Sequence, residues 1–325
     1  MNIKERKKNW SNYWKSNSID SCSQGVKSTD SEIDTFWKDT AKSLNKDSQV
    51  LDLCTGRGDV VDKMISAQES AGKDISHYTG VDLSEIPSEL AMSRFKSHAQ
   101  RVNLNYGTSV AALPYDDNKF DLVTSQFGIE YAVSKDSLIE IFRVLKNEGK
   151  LRLVIHHQNS ILTKVAKEER SHIEYLIDES NFFDLAQKLI PVFAKLRNPA
   201  NAEKLNKDQE AISLRSLFNN ASKGILDRAA KSNHPDALKE VLSFTEGLFR
   251  VAREQGVKPA KDELSKYIDE LKQSKVRMQE LIDCAFTEED IKGLEQQVNQ
   301  LGHKIVKTSE LTSKSYIVAW GLEIS

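Results

Sequence analysis

The sequence has few cysteines, no long apolar run and no excess of charge of either sign. Its three cysteines, Cys22, Cys54 and Cys284, are odd in number and far apart in a chain of 325 residues, which argues against a disulfide framework and against a zinc site. No apolar stretch approaches the roughly 18 residues that a membrane span requires, and the N-terminus lacks the apolar segment of a signal peptide. We therefore expect a cytoplasmic protein with no membrane span.

The balance of charge excludes a further class of partner. Lys and Arg number 46 against 48 Asp and Glu, so no global field favours nucleic acid. Hydrophobic residues make up 39% of the chain, which is enough for one large domain or two smaller ones. The composition is that of an ordinary folded protein, so the function must be found in local motifs.

The first such motif is a strand, a tight turn and the start of a helix. The apolar run at 50–53 contains Asp52 and is followed by the turn Gly56-Arg-Gly58, after which residues from Asp59 onward have a helical pattern. Glycines let the backbone pass close to a ligand, and the free N–H groups of a helix N-terminus face the same place. Two glycines after a strand also occur in turns that bind nothing, so this motif alone only suggests a binding loop.

A second short strand, at 77–83, strengthens that suggestion. Asp82 lies near its end, close to the spacing of roughly 20 residues at which nucleotide-binding α/β units place an acid against ribose hydroxyls. A third motif, Leu113-Pro-Tyr, precedes the next predicted strand at 119–125. The three motifs occur in the order that a nucleotide-binding sheet requires.

In this order, the motifs resemble those of the class I S-adenosylmethionine-dependent methyltransferases with a bacterial UbiE-like core. The signature of that class is an acid-x-Gly-x-Gly-x-Gly loop, an acid that ends the second strand and a Leu-Pro-aromatic segment before the fourth. Here Cys54 stands at the first glycine of the loop. The resemblance implies an α/β fold with a seven-stranded Rossmann-like sheet whose last strand is antiparallel, S-adenosyl-L-methionine as cofactor and S-adenosyl-L-homocysteine as product.

The resemblance also assigns the cofactor contacts. Asp52 would order the loop and meet the methionine ammonium, while Asp82 would bind the ribose hydroxyls; the alternative is that both only cap turns. Ser109, which stands where an aspartate is usual, matches a position at the adenine edge. The predicted cofactor-binding residues are Asp52, Cys54, Gly56, Gly58, Asp82, Leu83, Ser109, Val110 and Ser125.

Aromatic residues near the N-terminus follow helical spacing. Trp10, Tyr13 and Trp14 fall at i, i+3 and i+4, which predicts either a docked helix or a lid over the active site, and many methyltransferases of this class have a similar Trp-x-x-Tyr-Trp element before the core. The loop after the fourth strand should line the acceptor site, because ligands bind beyond the carboxyl ends of parallel strands. The predicted acceptor-pocket residues are Tyr13, Trp14, Gln126, Glu130 and Tyr131.

Between the fifth predicted strand, at 151–155, and a capped helix from Thr287, apolar residues recur at helical spacing. This pattern predicts a large all-helical insertion, which we expect to act as an acceptor cap or to pair two copies of the chain through an apolar stripe at 264–282. The predicted division is a helical lid segment at 1–48, the cofactor-binding core at 49–158, the insertion at 159–284 and the end of the core at 285–325.

Methyl transfer needs few chemical groups, because much of the catalysis comes from holding the nucleophile near the methyl group. An alcohol usually needs a base, and His156 and His157 follow the fifth strand on the ligand side, although such histidines are often only packed or surface groups. We therefore expect O-methylation of a small molecule or a glycan, without a metal. The alternatives are a non-catalytic scaffold that uses the insertion as an interaction surface, and a nucleic-acid methyltransferase, which Ser125-Gln-Phe-Gly does not favour.

Overall fold

The computed structural model describes residues 2–15 and 31–325. Cys22 and the segment at 18–25, predicted as the mobile part of the lid, lie outside the described residues. The chain divides into two compact units, which are Met1–Thr163 together with Glu280–Ser325, and Lys164–Gln279.

The first unit contains a seven-stranded sheet in the order β3-β2-β1-β4-β5-β7-β6. Strands β1 to β5 are parallel, while β7 runs antiparallel to both β5 and β6. This topology confirms the predicted fold class, including the antiparallel last strand. The strands are β1 Gln49–Leu53, β2 His77–Asp82, β3 Val102–Tyr106, β4 Phe120–Gln126, β5 Leu145–His156, β6 Ile305–Ser313 and β7 Tyr316–Ile324.

Helices account for most of the remaining described chain. They are α1 Ile3–Lys15, α2 Glu32–Lys42, α3 Asp59–Ser70, α4 Ser88–Met92, α5 Lys135–Val144, α6 Ile161–Glu174, α7 Phe182–Lys195, α8 Asn201–Lys207, α9 Gln209–Ala229, α10 Asp236–Gln255, α11 Val257–Cys284 and α12 Glu288–Gln300. The six helices from α6 to α11 lie between β5 and α12, which confirms the predicted helical insertion. No helix in the described part of the chain is long and apolar enough to cross a membrane.

The sheet is covered on both faces, because successive strand residues point to opposite sides. Val50 packs with residues of α2 and α3, whereas its neighbour Leu51 packs with residues of α5 and α12. A strand that is buried on both faces has a nearly continuous apolar sequence, and β1 has such a sequence. The ends of the parallel strands are the remaining place for a ligand.

Two local differences from the predictions have physical causes. The composition of residues 84–100 predicts one helix. The structure has the short α4 followed by a 3-10 segment, Ser93–His98, and the backbone leaves helical geometry at Phe95, whose ring is buried against Gly58. The sequence predicts the end of a helix and a turn at 145–150, whereas strand β5 begins at Leu145. A register shift against β4 separates the pair Phe120–Leu145 from the pair Leu122–Lys150, and sequence periodicity does not reveal such an irregularity.

The second unit has its own apolar core, to which α6, α7, α9, α10 and α11 contribute. From the stripe at 264–282, Leu264, Tyr267 and Leu271 are buried in that core. Glu169 accepts hydrogen bonds from the backbone N–H groups of Asp236 and Ala237 at the start of α10. Much of the predicted dimerisation stripe is therefore packed within its own unit.

Candidate functional site

A cavity of about 400 Å³ lies beyond the carboxyl ends of β1, β2 and β4, within the size range of small-molecule sites. Strands β1 and β4 are adjacent in the sheet, although β2 and β3 come between them in the sequence. Such a reversal of strand order opens a crevice in an open α/β sheet. The fold therefore places the cavity where this type of sheet binds ligands.

The glycine loop after β1 is held in place by hydrogen bonds from both of its sides. The Thr55 N–H donates to Val81 O at 2.9 Å, and the Tyr106 hydroxyl donates to Gly56 O at 3.0 Å. The Gly56 N–H donates to Asp82 Oδ2 at 2.8 Å. The loop course is thus fixed by β2 and β3 before any ligand binds.

Cys54 replaces a glycine of this loop and adopts the left-handed conformation, with φ at 54°. A Cβ atom added to Gly128 would lie only 2.3 Å from the Cβ of Cys54. The side chain of Cys54 therefore fits because the facing residue is a glycine. Burial raises the pKa of the Cys54 thiol well above its usual range, so the thiol is a neutral part of the cavity wall.

Asp82 and Asp52 give the cavity two carboxylates of different exposure. Asp82 is half-buried, and its Oδ1 accepts hydrogen bonds from the N–H and hydroxyl of Ser84. Asp52 is 1% exposed, and its Oδ1 accepts a hydrogen bond from the Thr124 hydroxyl at 2.8 Å. Burial raises the pKa of the Asp52 carboxyl to about 7.

These groups fit S-adenosylmethionine. A carboxylate oxygen has two lone pairs, so Asp82 Oδ2, which receives one N–H, keeps acceptor capacity for a ribose hydroxyl. The Asp52 carboxylate can meet an ammonium group from the floor of the cavity. Ser109 and Val110 line the same cavity, and an adenine ring can lie against them.

Another wall of the cavity is aromatic, and helix α1 supplies two of its four rings. Trp10 and Trp14 stack with ring centroids 6.4 Å apart, and Trp10 meets Tyr131 edge to face at 5.9 Å. Both tryptophans, Tyr131 and Phe127 line the cavity. This wall suits a flat apolar ligand, because aromatic rings pack by stacked and edge-to-face contacts.

Polar contacts attach α1 to the sheet end. The Ser11 hydroxyl accepts a hydrogen bond from the Glu85 N–H at 2.8 Å, and Lys7 forms an ion pair with the Glu85 carboxylate at 2.8 Å. Arg6 donates to Tyr131 O at 2.6 Å and to the buried carboxylate of Glu280. Helix α1 is therefore part of the site and not a loose extension.

Glu130 and His156 form a buried pair beside this wall. Glu130 Oε1 accepts from the His156 backbone N–H at 2.9 Å and lies 2.5 Å from His156 Nδ1, and both side chains are fully buried. Among the described residues, Glu130 Oε2 has no hydrogen-bond partner. The His156 ring packs on Phe127 with a centroid distance of 4.4 Å, so it lies behind a residue of the wall.

His157 points elsewhere. Its Nε2 lies 3.2 Å from the carboxylate of Glu310 on β6, its Nδ1 accepts from the Asn159 N–H, and its ring packs on Trp320. Alternation along β5 thus separates the two histidines, as an extended segment requires.

The structure brings together nine of the predicted site residues as cavity lining: Trp14, Asp52, Cys54, Asp82, Leu83, Ser109, Val110, Gln126 and Tyr131. The other predicted residues are not part of the lining: Tyr13, Gly56, Gly58, Ser125, Glu130, His156 and His157. The roles assigned to both groups stay predictions.

Sequence reasoning missed Arg6 and Lys7, which line the cavity from α1. Charged residues near a terminus look solvated, and only their helical phase with Trp10 and Trp14 could have revealed them. The reasoning also missed Phe127 and Gly128, which adjoin the predicted Gln126.

The fold and this cavity define a class I S-adenosylmethionine-dependent methyltransferase architecture. The chain belongs to the ubiE/COQ5 methyltransferase family, whose family model matches residues 14–197, more than half of the 325 residues. S-adenosyl-L-methionine is the cofactor of this family, so the predicted recognition and cofactor are confirmed.

Similar proteins match only part of the chain. A protein of Citrifermentans bemidjiense named ubiquinone/menaquinone biosynthesis C-methyltransferase UbiE is 36% identical over 125 residues, which are 37% of this chain and 51% of that protein. A demethylmenaquinone methyltransferase of Leptospira interrogans is 38% identical over 103 residues, 31% of this chain and 39% of that protein. The chain thus spans about half or less of the length of these curated relatives.

Solved structures also resemble the chain. The match to the YcgJ protein from Bacillus subtilis spans 43% of this chain and 58% of that protein, with 23% identity and a TM-score of 0.34. The match to a methyltransferase-like protein of Methanococcus maripaludis spans 90% of this chain and 85% of that protein, with 12% identity and a TM-score of 0.39.

Proposed function

We propose that this chain transfers the methyl group of S-adenosylmethionine to a small hydroxylated aromatic acceptor. The observation that carries the proposal is that one cavity has carboxylates suited to the cofactor on one side and an aromatic wall on the other. S-adenosylmethionine, when bound, supplies a methyl group on a positively charged sulfur. The protein then has to hold the acceptor in line with it and keep water out.

The aromatic wall favours a planar acceptor over a glycan. Trp10, Trp14, Phe127 and Tyr131 offer flat apolar surfaces, whereas a sugar would need many more hydrogen-bonding groups. Ionisation of a phenolic hydroxyl makes both its oxygen and the adjacent ring carbon nucleophilic. The proposed acceptor class is therefore compatible with O-methylation, as expected from the sequence, and with C-methylation.

C-methylation of a quinol-type ring is the better-supported alternative of the two. The names of the curated relatives include C-methyltransferase and demethylmenaquinone methyltransferase, and the chain belongs to their family. We therefore propose a ring carbon as the methylated atom, with the hydroxyl oxygen as the other outcome of the test below.

The test has two stages. Titration calorimetry should give saturable binding of S-adenosylmethionine and S-adenosylhomocysteine, whereas a non-catalytic scaffold should bind neither. Methyl-labelled S-adenosylmethionine is then incubated with reduced naphthoquinones, simple phenols and sugar acceptors. NMR of the labelled product distinguishes a carbon-bound methyl from an oxygen-bound methyl. Cofactor binding without transfer to any of the aromatic acceptors would contradict the proposed acceptor class.

The catalytic role of His156 or His157 remains part of the proposal. His156 would have to act through its bond to Glu130, because neither histidine lines the cavity. A folded His156→Gln variant that keeps both its cofactor affinity and its transfer rate would exclude that role.

Two roles remain proposed for the helical insertion, an acceptor cap and a homodimer contact through residues 264–282. Light scattering of the intact protein tests the dimer, and a monomeric mass would exclude it. Replacement of residues 164–279 by a Gly/Ser linker tests the cap, because the predicted cofactor contacts lie outside that range. Retained methyl transfer in that variant would exclude the cap.

A further inference from the structure

Gln126 occupies the last position of β4 and lines the cavity. The strand end is fixed on both sides of it, because the Ser125 hydroxyl donates to Leu53 O at 2.9 Å and the Phe127 N–H donates to Val154 O at 2.8 Å. Phe127 has φ at 53°, a left-handed conformation that a bulky residue adopts only where its surroundings impose it. The backbone at Gln126 is therefore held in one position.

The side-chain amide of Gln126 is held as well. Its Oε1 lies 2.6 Å from the indole Nε1 of Trp37. An indole N–H can only donate, so the amide atom that faces it must be the oxygen. Trp37 is fully buried in the core between α2 and the sheet, and its ring cannot turn away without disturbing that packing.

The contact with Trp37 determines which atom of the Gln126 amide faces the cavity. With the oxygen bound to Trp37, the amide nitrogen and its two N–H groups face the other way. No residue in 2–15 or 31–325 accepts a hydrogen bond from that nitrogen, and it is not among the polar atoms sealed from solvent without a partner. The nitrogen is therefore open to the cavity and presents donors that the described residues leave unused.

Two charged side chains of the same wall are already engaged. Arg6 donates to Tyr131 O and to Glu280, and Lys7 is paired with Glu85. Asp52 and Asp82 bring carboxyl oxygens to the cavity, and burial raises the pKa of both carboxyls. The Gln126 amide, by contrast, carries its N–H donors whatever the pH, and Trp37 fixes its orientation.

We propose that Gln126 donates a hydrogen bond to an oxygen atom of the acceptor and that Trp37 is the positioning residue for this bond. This inference rests on the proposed function and names the group that recognises the acceptor. A donor fixed before binding stabilises a phenolate more than a phenol. Bound phenols should accordingly lose their proton to solvent at lower pH, which enriches the nucleophilic form without a base in contact with the hydroxyl.

The experiment uses 4-nitrophenol, whose phenolate absorbs visible light, bound to the complex of the full-length protein with S-adenosylhomocysteine. Absorbance against pH gives the pKa of the bound phenol in the wild type and in Gln126→Leu, which keeps the side-chain size but has no donor. Trp37→Phe removes the indole N–H and lets the amide turn. Trp320→Phe is the matched control, because Trp320 is also buried and its Nε1 donates to Phe286 O at 3.0 Å, away from the cavity lining.

We expect the wild type to lower the pKa of the bound phenol below its value in water. Gln126→Leu should raise that pKa by about 1 unit, which is a tenfold loss of preference for the phenolate. Trp37→Phe should give a shift in the same direction, and Trp320→Phe should give none. Affinity for S-adenosylhomocysteine should stay within about threefold in all three variants, which is a smaller change than the loss of one hydrogen bond would cause.

Equal pKa values in the wild type and Gln126→Leu, with S-adenosylhomocysteine still bound, would overturn the inference. So would the absence of saturable 4-nitrophenol binding to the wild-type complex, or an equal shift in Trp320→Phe. A wild type that does not bind S-adenosylhomocysteine would instead overturn the proposed function, which keeps the two failures distinguishable.

Discussion

The two ends of the cavity are built from different parts of the polypeptide. At the proposed cofactor end, a backbone turn follows β1, two carboxylates lie near the ends of β1 and β2, and hydrogen bonds such as that from Gly56 N–H to Asp82 fix the turn. At the acceptor end, aromatic side chains from α1 and from the loop after β4 form the wall. The first end depends on strand geometry, whereas the second depends on which side chains the helix and loop present.

This difference separates geometry that the sheet fixes from recognition that individual side chains determine. A turn at the end of a parallel strand can be kept while the sequence around it changes, because the sheet fixes its position. A wall of side chains changes its specificity with single substitutions. Substitutions at the cofactor end should therefore abolish binding of S-adenosylhomocysteine, and substitutions at the acceptor end should leave that binding nearly intact.

The largest expected effect is that of Gly56→Val. A Cβ at Gly56 would lie 2.5 Å from the Trp14 ring, and its φ of 52° disfavours a branched side chain. We expect S-adenosylhomocysteine affinity, measured by calorimetry, to fall by about 100-fold or more, equivalent to roughly 3 kcal/mol. Gly72→Val is the matched control, because Gly72 has φ at 64° but no neighbour within 4 Å; a similar loss of affinity there would mean that backbone strain alone is responsible.

Asp82→Ala should have the next largest effect on affinity. It removes an acceptor proposed for the ribose and also the partner of the Gly56 N–H. The loss should be about 1.5–3 kcal/mol, the scale of a hydrogen bond to a charged group, again by calorimetry. The exposed Asp74 gives a control carboxylate on the same unit, and unchanged affinity in Asp82→Ala would place the ribose elsewhere.

At the acceptor end, His156→Ala should lower stability more than cofactor affinity. Removal of the imidazole leaves the buried Glu130 carboxylate with only the backbone N–H of residue 156, and breaking a buried pair costs about 3–5 kcal/mol. His157→Ala should cost less, because its partner Glu310 is 46% exposed on the side chain. Urea unfolding measures both, and a larger loss for His157→Ala would show that the buried pair contributes little.

A further prediction is a pH dependence from Asp52, whose pKa of about 7 exceeds its ordinary value of 3.8. The folded protein holds a proton there that the unfolded chain releases, so the free energy of unfolding without ligand should fall as the pH rises from about 4 to about 7. Affinity for the ammonium group of S-adenosylhomocysteine should rise through about pH 7, by at most about tenfold per pH unit.

Asp52→Asn should flatten the pH dependence of both the free energy of unfolding and the affinity. The amide keeps the shape of the carboxyl and an acceptor for Thr124, but it does not titrate. Urea unfolding and calorimetry at several pH values measure them. Slopes that persist in Asp52→Asn would assign the titration to another group.

The sequence predicted the cofactor end in more detail than the acceptor end. Asp52 and Asp82 were singled out because local patterns reveal strand ends, whereas Ser109 was assigned from the family resemblance. The contacts of Arg6 with Tyr131 and Glu280 join residues 125 and 274 positions apart, and no local pattern encodes such a pairing. The orientation of Gln126 depends in the same way on Trp37, 89 positions earlier.

Two features of the fold also depend on contacts between distant residues, which local sequence patterns do not encode. Apolar patterns predicted the places of β1, β2, β4 and β5. The early start of β5 at Leu145 was missed, because pairing with Phe120 and not the local sequence makes those residues a strand. The break at Phe95 was missed because the cause is the packing of its ring against Gly58.

The contact between Cys54 and Gly128 links two positions that are distant in the sequence. Since the two Cβ atoms would lie 2.3 Å apart, a relative with a larger residue at the position of Gly128 needs a glycine at the position of Cys54. The two positions should therefore covary across an alignment. Within this chain, Gly128→Ala alone should be disruptive, and Cys54→Gly should restore it, so that the pair forms a double-mutant cycle with a large coupling energy.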